Sequence, residues 1–148
     1  MKKNNNATIV TGSLSGNLFV ARTQHKGRGV FTTKKIKKGQ IIEICPMIVF
    51  GAKDRKIIND TFLYEYYFEW GESTRKGGLA LGFGSIYNHS YHPNAIYDPN
   101  FDLNILTFKS LRDIEAGEEI TVSYNLDPDD KSPVWWERDK IKNKKQHP

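Results

Sequence analysis

Gly117-Glu118-Glu119-Ile120-Thr121-Val122-Ser123-Tyr124 is the most informative stretch of this chain, read together with Asn88-His89-Ser90 and Lys26-Gly27-Arg28-Gly29-Val30-Phe31. Alone, each has an ordinary meaning. The first reads as a half-exposed strand ending in a buried tyrosine. The second, followed by Pro93-Asn94, reads as an Asx-rich loop. The third reads as a hairpin turn punctuated by glycine, which tolerates backbone that other residues resist.

The surrounding sequence is a succession of short strands. Residues 17–21 and the β-branched run at 41–44 fit strands, with a turn at 37–40 between them. Residues 104–108 alternate as another strand. The aromatic-rich run 58–70 fits neither a helical nor a strand period, and 72–78 reads as a polar loop. Leu79-Ala80-Leu81-Gly82-Phe83-Gly84-Ser85-Ile86-Tyr87 is apolar and small, suited to close packing against other backbone. Residues 127–133 break the chain. A short basic helix is expected from 134 onward, with Ser132 as N-cap and Pro133 at its first position. No repeat or linker divides the 148 residues, so one domain is expected, mainly β with little helix.

Composition removes several classes. A single cysteine, Cys45, allows neither an internal disulfide nor a cysteine zinc cluster. The histidines His25, His89, His92 and His147 are too scattered for a metal site, and no metal is expected. The longest apolar run, 41–50, is interrupted by Glu43 and Pro46, and no secretory h-region follows Lys2 and Lys3, so an intracellular, non-membrane protein is expected. The net charge is +5, and the body of the chain is polarised. Residues 22–56 hold ten Lys or Arg against Glu43 and Asp54, whereas 57–133 hold thirteen acidic residues against five basic ones. Such asymmetry fits faces that neutralise one another in the fold. It also fits an acidic groove for a cationic substrate, with basic termini free to touch nucleic acid.

In this order and at these separations, the three motifs resemble the SET-domain protein lysine methyltransferases, over residues 18–140. Residues 79–84 ahead of Asn88-His89-Ser90, with 117–121, are similar to the minimal SET histone methyltransferases of algal viruses. Pro93-Asn94-Ala95-Ile96-Tyr97-Asp98 and Trp135-Trp136-Glu137 look more like animal monomethylating members that lack a zinc cluster. The resemblance implies a mainly β (α+β) SET fold of several short sheets. Its C-terminal segment is threaded and knot-like, and ends in a short helix. It divides the chain into a flexible tail at 1–13, the SET domain at 14–133, and a basic segment at 134–148 that closes the cofactor site.

The implied reaction is methyl transfer from S-adenosylmethionine to a lysine amine, leaving S-adenosylhomocysteine and needing no metal. By resemblance, Asn88 and His89 hold the cofactor, and the Lys26, Gly27, Arg28 and Gly29 loop meets its methionine end. A pairing of Arg28 or Lys26 with the cofactor carboxylate is inferred from charge. Trp135 covers the adenine, or else simply anchors a terminal helix. Tyr124 orients amine and methyl, the alternative being a core tyrosine with one structural hydrogen bond. Tyr97 limits the methylation state, with Val122 leaving room for its hydroxyl, which favours monomethylation; Tyr66 lines the channel or belongs to the core. One departure is Ile44-Cys45-Pro46, where many members carry a tyrosine.

The implied partner is a basic protein, a histone tail above all, suited to the acidic run Asp113, Glu115, Glu118, Glu119, Asp127, Asp129 and Asp130. It can dock as an added strand. Location follows: the nucleus, or a host-cell nucleus, if histones are the target, and otherwise the cytoplasm. A homodimer like that of the viral proteins is left open. Two other readings stay beside this one: a SET-like module that only binds cofactor or peptide, and a nucleic-acid binder using its basic ends.

Overall fold

The computed structural model describes residues 12–13 and 16–138. Expectations for the tail ahead of Gly12 and for the basic segment beyond 138 lie outside the described residues. In chain order the elements are β1 (Gly12–Ser13), β2 (Leu18–Arg22), β3 (Arg28–Thr32), β4 (Ile41–Phe50) and α1 (Ala52–Ile58). A 3-10 turn at Phe62–Glu65 leads to β5 (Tyr67–Trp70) and β6 (Lys76–Ala80), and a second at Gly84–Ile86 leads to β7 (Asn88–His89). Then come β8 (Ala95–Asn100), β9 (Ile105–Ser110) and β10 (Glu119–Val122).

Two sheets result. The larger runs β5-β6-β4-β9-β8, with β1 also on β4, and the smaller runs β2-β3-β10-β7. This is the mainly β fold expected of the sequence. β4 is longer than its β-branched first half suggested, because it continues through Cys45 and Pro46. Proline cannot donate to a ladder. Here it stands where β4 changes neighbour: Ile41 to Pro46 pair with β9, and Met47 to Phe50 pair with β6. Apolar side chains between the layers, among them Val30, Ile42, Leu106, Phe108, Ile120 and Val122, are almost fully buried.

Several local expectations are corrected. The 72–78 loop ends at Lys76, where β6 begins and forms a hairpin with β5. Its glycines are strand residues on which neighbours lie flat: a Cβ on Gly78 would stand 2.9 Å from Met47 Cε and 3.2 Å from the Trp70 ring. The ambiguous run 58–70 divides into the first 3-10 turn and β5, and α1 precedes it without a buried residue. The Asn88-His89 loop is a short strand. Gly12 and Ser13, read as tail, pair with Ile44 and Glu43, since backbone pairing requires no apolar side chain. The terminal helical turn covers 135–138, starting after Pro133 rather than at it. Val134 is buried instead, and its carbonyl accepts from the amides of Glu137 and Arg138.

The opposite charges of the two halves meet on the surface. A bridge between Ile36 and Ile114 brings Lys35 to Asp113 (3.1 Å) and Glu115 (2.7 Å), and Arg112 reaches Glu118 at 2.5 Å. Arg112 above all holds the Glu118 carboxyl down to about 2. Three members of the acidic run, Asp113, Glu115 and Glu118, are thus paired with cations on the surface.

Gly84 tests the packing of the second 3-10 turn. A Cβ there would lie 2.6 Å from Ala80 Cβ and 2.8 Å from Cys45 Sγ, both rigid neighbours. Gly84→Ala is expected to cost about 1–3 kcal/mol of stability by overpacking, measured by urea unfolding.

Candidate active site

Register brings the separated motifs together. β7 and β10 pair in parallel, Asn88 opposite Thr121 and His89 opposite Val122. The amide of Ser90 continues the pairing by donating to the Val122 carbonyl at 2.9 Å. Tyr124, just past β10, therefore lands beside His89: its N–H donates to His89 Nδ1 at 3.1 Å, and the rings are 5.4 Å apart. Asn88 ties in the glycine loop by donating to the Arg28 carbonyl (2.9 Å) and to Glu119 Oε1 (2.7 Å). Gly29 has to be glycine beneath this knot, since a Cβ would meet Glu119 Oε1 at 2.5 Å. Gly27 turns at φ +74, in the left-handed region, and its carbonyl accepts from the Thr23 amide at 2.7 Å. Lys26 Nζ donates to the His89 carbonyl at 3.0 Å.

Because His89 Nδ1 accepts a hydrogen bond, the ring is neutral and its proton sits on Nε2. Nε2 is buried without a partner, an orphan donor. Tyr91, Tyr124 and Trp136 surround the ring at 4.5, 5.4 and 5.9 Å. Burial first, then Lys26 and Lys131, lower the His89 pKa, against an opposing pull from Glu137.

The Tyr124 hydroxyl donates to the Tyr87 carbonyl at 2.8 Å. Burial, then the nearby Tyr66, Glu65 and Glu119, push it up to about 12. Tyr97 is likewise pushed up to about 12, by burial and by Tyr124. Both hydroxyls stay protonated at neutral pH. Tyr97 packs edgewise on Phe68, with centroids 5.2 Å apart. Val122 is 1% exposed and belongs to the core.

Two cavities meet at this point. The first, about 1160 Å3, is lined by Lys26, Gly27, Arg28, Asn88, His89 and Trp136 among others. The second, about 630 Å3, is walled by Phe68 from β5 and Tyr97 from β8. Glu65, Tyr66, Ser85, Tyr124 and Trp135 border both. Cys45, at the departure from the usual tyrosine, is instead fully buried in the core.

Lys26, Gly27, Arg28, Tyr66, Asn88, His89, Tyr97, Tyr124 and Trp135 each border a cavity, whereas Gly29 packs beneath Asn88, and Val122 and the acidic run border neither. The sequence reading missed Trp136, Tyr91 and Tyr87. Trp136 packs on His89 and Tyr124, while Trp135 packs on Tyr64 at 4.8 Å and stands at the seam between cavities. Tyr91 fastens the C-terminal segment: its hydroxyl bonds Glu137 and accepts from the Val134 amide, and its carbonyl accepts from Lys131. The adjacency of Trp135 to Trp136 was a visible signal. Tyr87 gave none, because it acts through its carbonyl.

A model of the SET domain matches residues 27–125. The chain belongs to the SET-domain family of protein lysine methyltransferases. Among its relatives, the histone-lysine N-methyltransferase specific for H3 lysine 37 of Schizosaccharomyces pombe is 38% identical over 108 residues, 72% of each chain. An H3 lysine 36-specific histone-lysine N-methyltransferase of Cryptococcus neoformans is 30% identical over 75% of this chain. Mouse histone-lysine N-methyltransferase NSD3 is 29% identical over 73%. This chain spans only 14% and 8% of those two longer proteins. A solved Plasmodium falciparum protein assigned as a histone methyltransferase superposes with a TM-score of 0.58 at 28% identity, over 81% of this chain and 96% of that one. The 131–138 segment packs on this region through Tyr91, His89 and Tyr124, and no described helix is long and apolar enough to cross a membrane.

His89 gives this SET site a pH signature. Its folded pKa lies below 6.5, so the unfolded chain takes up the proton first as pH falls. Stability from this group is present above about pH 6.5 and declines as pH drops toward the folded value. His89→Gln is expected to lose that decline, read from melting temperatures of both proteins between about pH 7.5 and 5.5.

Proposed function

We propose that this SET domain transfers a methyl group from S-adenosylmethionine to the side-chain amine of a lysine in a histone tail. The observation that carries the reading is the wall the two cavities share, which includes Tyr124 with Glu65, Tyr66, Ser85 and Trp135; the larger is suited to a cofactor and the smaller to an alkyl amine. The names of the fungal relatives support histone H3 as the substrate class, and a nuclear setting follows from it.

The residues of the larger cavity fit the cofactor. Asn88 and His89 line it, Tyr91, Trp135 and Trp136 supply aromatic faces for a purine, and Lys26 and Arg28 supply cations for a carboxylate. When bound, S-adenosylmethionine supplies an already activated sulfonium methyl, so alignment and exclusion of water are what the protein must add.

The lysine enters the smaller cavity. An amine with a free pKa of ~10.4 has to lose its proton before it can attack, and an aromatic channel disfavours the charged form. Tyr66, Phe68 and Tyr97 form that channel, with Glu65 at the seam to attract the cationic side chain as it enters. Tyr124 spends its proton on the Tyr87 carbonyl. The lone pairs of its hydroxyl are therefore left to accept an N–H of the amine, which turns the nitrogen lone pair toward the methyl. Tyr97, its hydroxyl protonated, holds a water where a second methyl would go, favouring a monomethyl product.

Two measurements test this. With labelled cofactor and a panel of histones, mass spectrometry is expected to find methyl-lysine. Tyr124→Phe is expected to lower kcat about 100-fold or more while the cofactor Kd stays within about threefold. Cofactor binding with no methylated lysine on any histone would instead leave a binding module. Separately, Tyr97→Phe is expected to shift the product from monomethyl-lysine toward dimethyl-lysine, resolved by intact-peptide mass.

A further inference from the structure

We infer that Glu43 is a positioning residue for methyl transfer, fixing the Tyr124 hydroxyl through the backbone of residues 82–87. The inference rests on the catalytic role proposed for Tyr124 and extends it to a carboxylate that touches neither cavity.

Glu43 lies in the middle of the larger sheet, yet it is only 2% exposed. A regular strand would send Ile42 and Glu43 to opposite faces, but both are buried. The cause is a register shift in β4: Ile41 pairs with Lys109 and Glu43 with Phe108, leaving Ile42 as an extra residue. Glu43 itself alternates regularly with Cys45 and Met47, buried on the same face of β4, so the bulge accounts for Ile42. The Glu43 carboxylate enters the loop that connects β6 to β7. Its Oε1 accepts from the Phe83 amide at 3.0 Å, and its Oε2 accepts from the Tyr87 hydroxyl at 2.9 Å. Gly82, at φ +68, passes so close that a Cβ would stand 2.3 Å from Oε1. Among the described residues no Lys or Arg pairs with Glu43. Its two oxygens instead serve the Phe83 amide and the Tyr87 hydroxyl, donors that would be left buried without an acceptor in its absence.

The loop has a reason to be held. Tyr87 receives the carboxylate at its hydroxyl and offers its carbonyl to the Tyr124 hydroxyl. Its ring is clamped on Phe108, with centroids 4.4 Å apart. The next residues, Asn88 and His89, line the larger cavity. One carboxylate, mounted on the sheet, thus sets the acceptor that orients the Tyr124 hydroxyl and the start of the cofactor loop. Burial, then Glu43, raise the Tyr87 phenol pKa, so its hydroxyl stays a donor at neutral pH.

The test compares Glu43→Gln, Tyr87→Phe and the double variant with wild type. Steady-state constants for cofactor and histone peptide are measured, with melting temperature and the ring-13C resonance of Tyr124 (assigned by its loss in Tyr124→Phe). Each single variant is expected to lower kcat between about 10- and 100-fold, with the cofactor KM within about twofold, and to move the Tyr124 resonance. The double variant is expected to be no slower than Tyr87→Phe, because both act through one link. Should Glu43→Gln fail to fold, Tyr87→Phe carries the test alone. A folded variant with wild-type kcat, or an unmoved Tyr124 resonance, overturns the inference. If wild type itself transfers no methyl group, the proposed function falls, and the resonance still reports whether Glu43 positions Tyr124.

Discussion

The parallel pairing of β7 with β10 is the constraint from which the site follows. It is a short ladder, yet it joins a strand from the middle of the chain to one near the end. In doing so it delivers the Tyr124 amide to His89 Nδ1. That bond fixes the imidazole as neutral, with its remaining proton on the buried Nε2 among the rings of Tyr91, Tyr124 and Trp136. Asn88, on the same strand, reaches across β10 to Glu119 and onward to the Arg28 carbonyl, so the smaller sheet brings all three motifs together. Without this register, Tyr124 would be an ordinary strand-end tyrosine.

Around that pairing, polar groups are buried at a cost and satisfied almost completely. Asn94 is 2% exposed, donates to the Glu119 carbonyl at 2.8 Å, and accepts from the Thr121 amide at 2.9 Å. Glu43 is satisfied by Phe83 and Tyr87. Among the described residues, the buried side-chain atom left without a partner is His89 Nε2, which is enclosed by Tyr91, Tyr124 and Trp136. Unsatisfied buried donors are rare because each carries its full desolvation cost.

The charge pattern shows how far composition reaches. Opposite signs in the two halves fit both an internally neutralised surface and an acidic groove. Lys35 with Asp113 and Glu115, and Arg112 with Glu118, support neutralisation for three members of the acidic run. These side chains are half exposed, so the pairs contribute little stability. At the cavities stand Glu65 at the seam, Glu137 in the larger and Glu69, paired with Arg55, in the smaller. Attraction of a basic tail would thus be local.

The sequence by itself determined the family and the β-rich class, because motifs in a fixed order are legible without coordinates. Asn88, His89 and Tyr124 were singled out for that reason. The tertiary structure alone decided how they are arranged. That the Tyr124 hydroxyl faces the Tyr87 carbonyl, that Trp136 rather than Trp135 packs on His89, and that Glu43 shares the inward face of Cys45 and Met47 are consequences of register, strand alternation and docking of the terminal segment. Backbone carbonyls carry no residue-type signal, and a one-residue shift in a strand reverses which face a side chain takes. Glycines at 77 and 78, read as loop, proved to be strand positions, since only contact with Phe50, Met47 and Trp70 reveals why a side chain is missing there.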